Sequence, residues 1–435
     1  MLNNFLHRIA PRFKFSFFAF FFLVFIFTYG IQYEVAEKLY YKGLWPLKNI
    51  QRYLMLFNLF ILVFSLFYFQ KKKISVQSFY QKVNVFFSLL ILINLFQIIF
   101  KIINTGNNGN DNHYKNLVFN PKVQRPDIIY ILLDGYASDK VLKEFYDFDN
   151  SDFKNKLSVL GFKNYTDVIT YYYGTSASLN AILNLDFTEG NNPNYYNLKN
   201  NLLFRYLKNL GYTIKNIESG YSVTSKFSNA QKIQTGGLNE FERTYLRLTI
   251  VRFDELFGGM AYQRIKEQLK TLANLENHLT GTPDFIFSHI VCPHPPYVFD
   301  KHGKRKRKFI NRDNFWEPAS DFVEQTQAIN NFLLPVLEKL SSLENTIIIV
   351  QSDHGPWLSS ENLQDVLRVR ESVLTSVKWN KKTPADSLRH TINTFRLLIK
   401  TEMDSGMTLL NHREKSLEAF KNYVELTRIL NKHEE

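Results

Sequence analysis

One cysteine, Cys292, stands among 435 residues. An intrachain disulfide is therefore excluded, and so is a cysteine-built metal cluster. The lack of disulfides leaves an extracytoplasmic location open. The chain also lacks zinc-finger spacing, an RNP-type run and any other nucleic-acid recognition motif. Its formal net charge of +13 is therefore assigned to anionic lipid headgroups or anionic glycans rather than to nucleic acid. There is no repeat period and no long low-complexity tract. Nothing in the pattern reads on the oligomeric state.

What is abundant is aromatic. The chain holds 40 Phe and 24 Tyr, with the Phe concentrated near the N-terminus. Three windows there are free of charge over the length that a bilayer requires, about 17–25 apolar residues. They run over about 15–33, 53–70 and 83–100. A cleaved signal peptide followed by core helices is the alternative. The first run has no clear small-residue cleavage site, however, and two more runs follow it. The third carries Asn84, Asn94 and Gln97 and is the weakest. Arg8, Arg12 and Lys14 precede the first span, and Lys71, Lys72, Lys73 and Lys82 lie between the second and third. That bias puts the N-terminus inside and everything after the third span outside. Lys38, Lys42, Lys48 and Arg52 in the first loop oppose it.

The expected organisation is a membrane domain over 1–103, a linker over 104–125 and a catalytic domain over 126–435 with a C-terminal helical tail. The linker rests on "NTGNNGNDNH" (104–113), whose Asn and Gly density reads as loop. Beyond it, "DIIYILLD" (127–134), "DFIFSHIV" (284–291) and "TIIIVQSD" (346–353) are short apolar runs bounded by loop residues, as buried strands are. Amphipathic stretches such as 321–340 and 412–431 read as helices. Strands alternating with helices imply an α/β domain with a largely parallel sheet.

The carboxylates locate the chemistry. Asp134 and Asp353 each end an apolar run, and His354 follows the second. In open α/β sheets, sites form outside the carboxyl ends of strands. Two Asp and a His delivered there suit a divalent cation, although Asp–Gly is also an ordinary turn after a strand. The segment "YYYGTSASLNAILN" (171–184) adds a hydroxyl. Leu179, Ile182 and Leu183 set a helical stripe that starts near Thr175, where a threonine is a good N-cap. A helix N-terminus also favours anions, and a hydroxyl there can attack phosphorus or sulfur. Ser176 and Ser178 are the fallback hydroxyls.

In this order, the residues from about Pro126 to Lys400 resemble the alkaline phosphatase–sulfatase superfamily. More narrowly, they are similar to its membrane-anchored branch of lipoteichoic acid synthases and lipid A phosphoethanolamine transferases. "PDIIYILLDGY" resembles the first strand with its metal-binding acid, and "YGTSASLNAILN" the nucleophile segment with Thr175 at the nucleophile position. "IIIVQSDHGP" resembles the strand delivering an Asp–His pair. "PHPPYVFD" resembles the loop over the substrate, with His294 at the match, and "TINTFRLLIK" the segment after the core strands. The formylglycine motif of type I sulfatases, Cys-x-Pro-x-Arg, is absent near Thr175, and Gly135 follows Asp134 where a tandem Asp is common. Between Asp300 and Asp353 there is also no Asp-x-x-x-His pair for a second metal.

The resemblance implies a sulfatase-like α/β domain, with a central, mostly parallel sheet flanked by helices and preceded by transmembrane helices. It implies one divalent cation (Zn, Mn or Mg) at Asp134, Thr175, Asp353 and His354. A second ion would have to recruit His294, His390 or another group. Thr175 would form a covalent phospho-threonine, with His294 binding the phosphoryl oxygens or assisting the leaving group. The expected activity moves a phospholipid-derived headgroup from an anionic phospholipid-type donor to an envelope glycan or lipid. The place expected for it is the extracytoplasmic face of the plasma (inner) membrane. Phosphate- or sulfate-ester hydrolysis at the same site is the alternative, and a non-catalytic membrane-anchored binding protein is the alternative of another class. The basic run "KHGKRKRK" (301–308) reads either as a solvated loop or as a patch for anionic headgroups.

Overall fold

The structure is a computed structural model. It describes residues 125–425 except 188–197, 199–200, 226, 228, 237, 239–241, 243–244, 247, 250–258, 307–315, 381–382, 404–405, 414–416 and 419. Before residue 125 it describes 20–26, 28–33, 35–36, 50–72 and a few positions from 81 to 92. The chain divides into two compact units. Residues 1–115, 246–252 and 435 form one, and 116–245 with 253–434 form the other.

In the first unit, residues 20–26 and 28–33 are helical, and a second helix runs over Ile50–Lys72. The two are joined by paired amides. Asn58 Nδ2 donates to Gln32 Oε1 at 2.6 Å, and Gln32 Nε2 donates to Asn58 Oδ1 at 3.3 Å. The apolar side chains of the second helix are largely exposed, among them Leu56, Phe57, Phe60 and Phe64. Among the described residues no helix is long and apolar enough to cross a membrane. The Ile50–Lys72 helix comes nearest, but its side chains are described continuously only from Arg52 to Ser65. Most of the third expected span, and the linker up to residue 124, lie outside the described residues.

The second unit is built on one seven-stranded sheet. Its strands are β1 (Asp127–Leu133), β2 (Phe162–Tyr165), β3 (Thr213–Ile217), β4 (Gln231–Ile233), β5 (Asp284–Ile290), β6 (Thr346–Ser352) and β7 (Thr375–Lys378). The order is β2-β7-β6-β1-β5-β3-β4. Only β7 runs against the others, antiparallel to both β6 and β2. The sheet is therefore mixed but mostly parallel, as the alternation of strands and helices predicts.

The central strands are apolar on both faces because helices cover both. Ile128, Tyr130 and Leu132 of β1 face one core with Phe285 and Phe287 of β5 and Ile347 and Ile349 of β6. The helix Thr175–Asn184 packs into that core through Leu179, Ile182 and Leu183. Ile129, Ile131 and Leu133 face the opposite core, which the helices Gly259–Ala273 and Ala319–Ser341 cover. Register carries this alternation to the site. Leu133 lies level with Ile290 and Ser352. With a side-chain period of two, the next residues on β1 and β6, Asp134 and Asp353, point to the face of the Thr175 helix. His289, level with Leu132, points the same way.

Candidate active site

The strand ends and the Thr175 helix bring three predicted residues to one atom of a fourth. Nε2 of His354 lies 3.5 Å from Asp134 Oδ1, 3.4 Å from Asp353 Oδ2 and 3.5 Å from the Thr175 hydroxyl. All four residues are buried. Two glycines make this packing possible. Gly135 has φ +75, a left-handed conformation that a side chain would strain, and Trp316 would lie 2.8 Å from a Cβ there. A Cβ on Gly355 would meet the Val369 carbonyl oxygen at 2.0 Å. The "DG" and "HG" of the two motifs thus serve close approach of chain to chain.

The carboxylates are unequally supported. Asp353 Oδ1 accepts from the backbone N–H of His354 at 2.9 Å and of Gly135 at 3.2 Å. Asp353 Oδ2 and Asp134 Oδ1 are buried with no hydrogen-bond partner. An ionised oxygen kept from water with no donor is costly, and a cation satisfies it. Burial raises the Asp134 carboxyl, but facing His294 and the hydrogen bond from His289 outweigh burial and hold it well below the usual carboxylate range. Asp353 is raised, by burial first and by the Asp134 charge second. Burial, then the Arg370 charge, push His354 well below its usual value, so its imidazole is neutral. Its Nδ1 faces the Gly355 carbonyl at 3.0 Å. A proton on Nδ1 leaves the Nε2 lone pair aimed at the carboxylates, the tautomer that a metal ligand needs. Asp134, Asp353 and His354 offer three ligand atoms within 4.8 Å of one another. The donor set therefore fits a divalent cation.

Thr175 is placed differently from the sequence expectation. Gly174 is the N-cap, with extended φ −149 and ψ 154, and Thr175 is the first helical residue. No side chain caps this helix, so the Thr175 hydroxyl faces His354 instead. Ser178 is bonded elsewhere, donating to the Tyr172 carbonyl at 3.0 Å. His294 is at the site. Its backbone N–H donates to the Asp134 carbonyl at 2.9 Å, and its ring centroid lies 6.4 Å from that of His354 and 4.7 Å from that of Trp316. His390, named as a possible second-metal ligand, is not brought in. Its Nε2 faces the Leu410 carbonyl at 3.2 Å and its ring packs on Tyr171. Of the basic run, Lys306 is bonded to Asp321 at 2.7 Å and to Glu324.

Two residues at the site escape sequence reasoning. His289 is fully buried, with Nε2 at 3.2 Å from Asp134 Oδ2 and the Tyr221 ring against its own. Its signal is a histidine inside an apolar strand. Arg370 is buried with Nη2 at 3.4 Å from His354 Nε2. Its signal is weak, because a helical arginine is ordinarily a solvated one.

Residues 126–366 match the protein-family model described as Sulfatase. No curated protein matches the chain in sequence. Among solved structures, the chain is similar to the C-terminal periplasmic domain of EcEptC from Escherichia coli in complex with Zn. Identity is 11%, the match covers 69% of this chain and 90% of that one, and the TM-score is 0.47. It is also similar to the C-terminal periplasmic domain of phosphoethanolamine transferase EptC from Campylobacter jejuni, at 12% identity, 64% and 89% coverage and a TM-score of 0.41. A third is the sulfatase-like protein yidJ from Bacteroides fragilis, at 12% identity, 69% and 77% coverage and a TM-score of 0.40. The family match spans more than half of the chain and takes in the strands that carry the buried carboxylates. The chain thus belongs to the sulfatase family and is an enzyme of phosphoryl- or sulfuryl-ester chemistry.

Proposed function

We propose that the protein is a metal-dependent phosphotransferase in which Thr175 is the nucleophile. The observation that carries this reading is the convergence of the Thr175 hydroxyl with two partnerless carboxylate oxygens on His354 Nε2. Asp134, Asp353, His354 and Thr175 would hold one divalent cation. When bound, it supplies a lowered hydroxyl pKa and neutralises charge on non-bridging oxygens. Thr175 loses its proton to solvent and its oxygen forms a bond to phosphorus. The ester P–O bond breaks, the electron pair leaves with the alcohol oxygen, and His294 donates a proton to that oxygen. An acceptor hydroxyl then gives its proton back to His294 and attacks phosphorus, the Thr175 P–O bond breaks with its electron pair staying on the Thr175 oxygen, and that oxygen regains a proton from solvent. The Thr175 helix points its N-terminal N–H groups and positive dipole end toward the reacting group.

The donor in this reading is an anionic phospholipid, and the acceptor an envelope glycan or lipid. Supporting it are the three apolar runs before the domain, the exposed apolar side chains of the Ile50–Lys72 helix and the Gln32–Asn58 amide pair, a contact of the kind that joins helices in lipid. The proposed arrangement is a membrane domain over 1–103, a linker over 104–125 and an extracytoplasmic domain over 126–435. The test is Thr175→Ala, assayed for release of headgroup from labelled phospholipid with metal present. Loss of release together with loss of labelled Thr175 supports the reading. Unchanged turnover removes Thr175 as nucleophile. Labelled water-soluble product in place of labelled acceptor assigns hydrolysis to the same site.

A further inference from the structure

Arg370 is a buried cation with no carboxylate in contact among the described residues. Its five N–H donors are mostly bound to backbone. Nε and Nη2 donate to the Tyr173 carbonyl at 2.9 and 2.6 Å, and Nη1 donates to the Gly355 carbonyl at 2.7 Å. Nη2 also faces His354 Nε2 at 3.4 Å. The guanidinium sits between two aromatic faces, 5.5 Å from the Trp316 ring and 5.7 Å from that of Trp357. This is a rigid mount. One Nη1 donor has no acceptor among the described residues, and the second Nη2 donor loses its own once the His354 lone pair is given to a cation.

The placement is chemical as well as steric. Arg370 Nη2 and the Thr175 hydroxyl both lie within 3.5 Å of the same nitrogen. A tetrahedral group attacked by Thr175 therefore has a non-bridging oxygen within reach of the guanidinium. Charge runs the same way. Asp134 and Asp353 with Arg370 sum to one negative charge. A divalent cation turns this into one positive charge, which a phosphate or sulfate ester anion neutralises. A guanidinium fork also matches an oxyanion better than a point charge does.

We propose that Arg370 is the oxyanion-binding residue of the site. It takes a non-bridging oxygen of the phosphoryl or sulfuryl group and, through Tyr173, tethers the segment that carries Thr175. The inference rests on Thr175 acting as the nucleophile. Its ligand class is a tetrahedral oxyanion, and it makes anion affinity and metal affinity mutually reinforcing.

The experiment titrates inorganic phosphate, and separately inorganic sulfate, into the full-length protein loaded with Zn2+ and again after chelation. Wild type, Thr175→Ala, Arg370→Gln and Arg370→Lys are compared, with bound metal measured in each. Expected for Arg370→Gln is bound Zn2+ near the wild-type level and about 100-fold weaker phosphate affinity in the loaded protein. Arg370→Lys restores part of that loss, because it keeps the charge but not the fork. Chelation weakens phosphate binding in wild type. Tighter binding of phosphate than sulfate marks a phosphoryl substrate, and the reverse marks a sulfuryl one. Wild-type phosphate affinity in a folded, metal-loaded Arg370→Gln overturns the proposal. Should that variant fail to fold, unchanged affinity in Arg370→Lys overturns it. Thr175→Ala separates the two readings. It is expected to be inactive yet to bind phosphate, and an active Thr175→Ala overturns the nucleophile rather than Arg370.

Discussion

The two ends of one sheet carry the same residue types and bond them differently. At the amino ends of β1 and β5, Asp127 accepts the Asp284 backbone N–H at 2.7 Å. Asp284 in turn accepts from the Thr280 backbone at 2.8 Å and its hydroxyl at 3.1 Å, and pairs with Lys215 at 2.8 Å. At the carboxyl ends, Asp134 Oδ1 and Asp353 Oδ2 are as hidden from water as Asp284 and have no hydrogen-bond partner among the described residues. Burial of a charge is therefore not what marks the site, since both ends have it. The mark is burial without bonds, a local cost that a fold keeps only where function needs it.

The comparison is tested most severely by removing one carboxylate from each end. Asp134→Asn or Asp353→Asn is expected to lower turnover at least ~10³-fold and to strip bound metal. In the metal-free protein it relieves repulsion between two close carboxylates, so the melting temperature should hold or rise. Asp284→Asn is expected to do the opposite. It leaves the Lys215 charge buried and unpaired, which costs about 3–5 kcal/mol in urea unfolding, while turnover per folded molecule stays within about twofold. If metal-free Asp353→Asn melts as low as Asp284→Asn, the distinction between the two ends fails.

Metal removal sharpens the same point with a smaller effect. A cation present at 100 times its dissociation constant stabilises the folded state by about 2.7 kcal/mol. Calorimetry with and without chelator should show that increment in wild type and in Asp284→Asn. Its survival in Asp353→Asn would place the cation elsewhere.

The strand ends were legible because burial on both faces leaves an unbroken apolar run, and a polar residue that ends such a run is easily seen. The reversal of β7 was not legible, since Thr375–Lys378 is only 4 residues long and direction leaves no trace in so short a stretch. The start of the Thr175 helix was readable from its apolar stripe, but one residue separates cap from first turn. Gly174 takes the extended cap conformation, and that freed the Thr175 hydroxyl for the site. Arg370 was hidden for another reason. It lies in a helix, Leu363–Glu371, whose charges read as solvated. Only the close approach at Gly355, whose N–H donates to the Arg370 carbonyl at 2.8 Å, turns that helix end back onto His354.

The smallest expected effect applies the same rule to the basic run. Lys306 already has two carboxylate partners, Asp321 and Glu324, whereas Lys301 and Lys304 have exposed side chains. A charge that is already paired has little left for a ligand. Lys306→Ala should therefore cost about 1–3 kcal/mol of stability, because it removes the cation beside the buried Asp321 carboxylate, and leave turnover on lipid vesicles unchanged. Lys301→Glu with Lys304→Glu should instead weaken binding to vesicles rich in anionic lipid. A basic residue near such a surface contributes about 1 kcal/mol, or roughly fivefold in affinity, and the loss should fade as salt shortens the screening length. Equal effects from Lys306→Ala and the double reversal would show that pairing does not sort these lysines. No effect from either would return the whole run to a solvated loop.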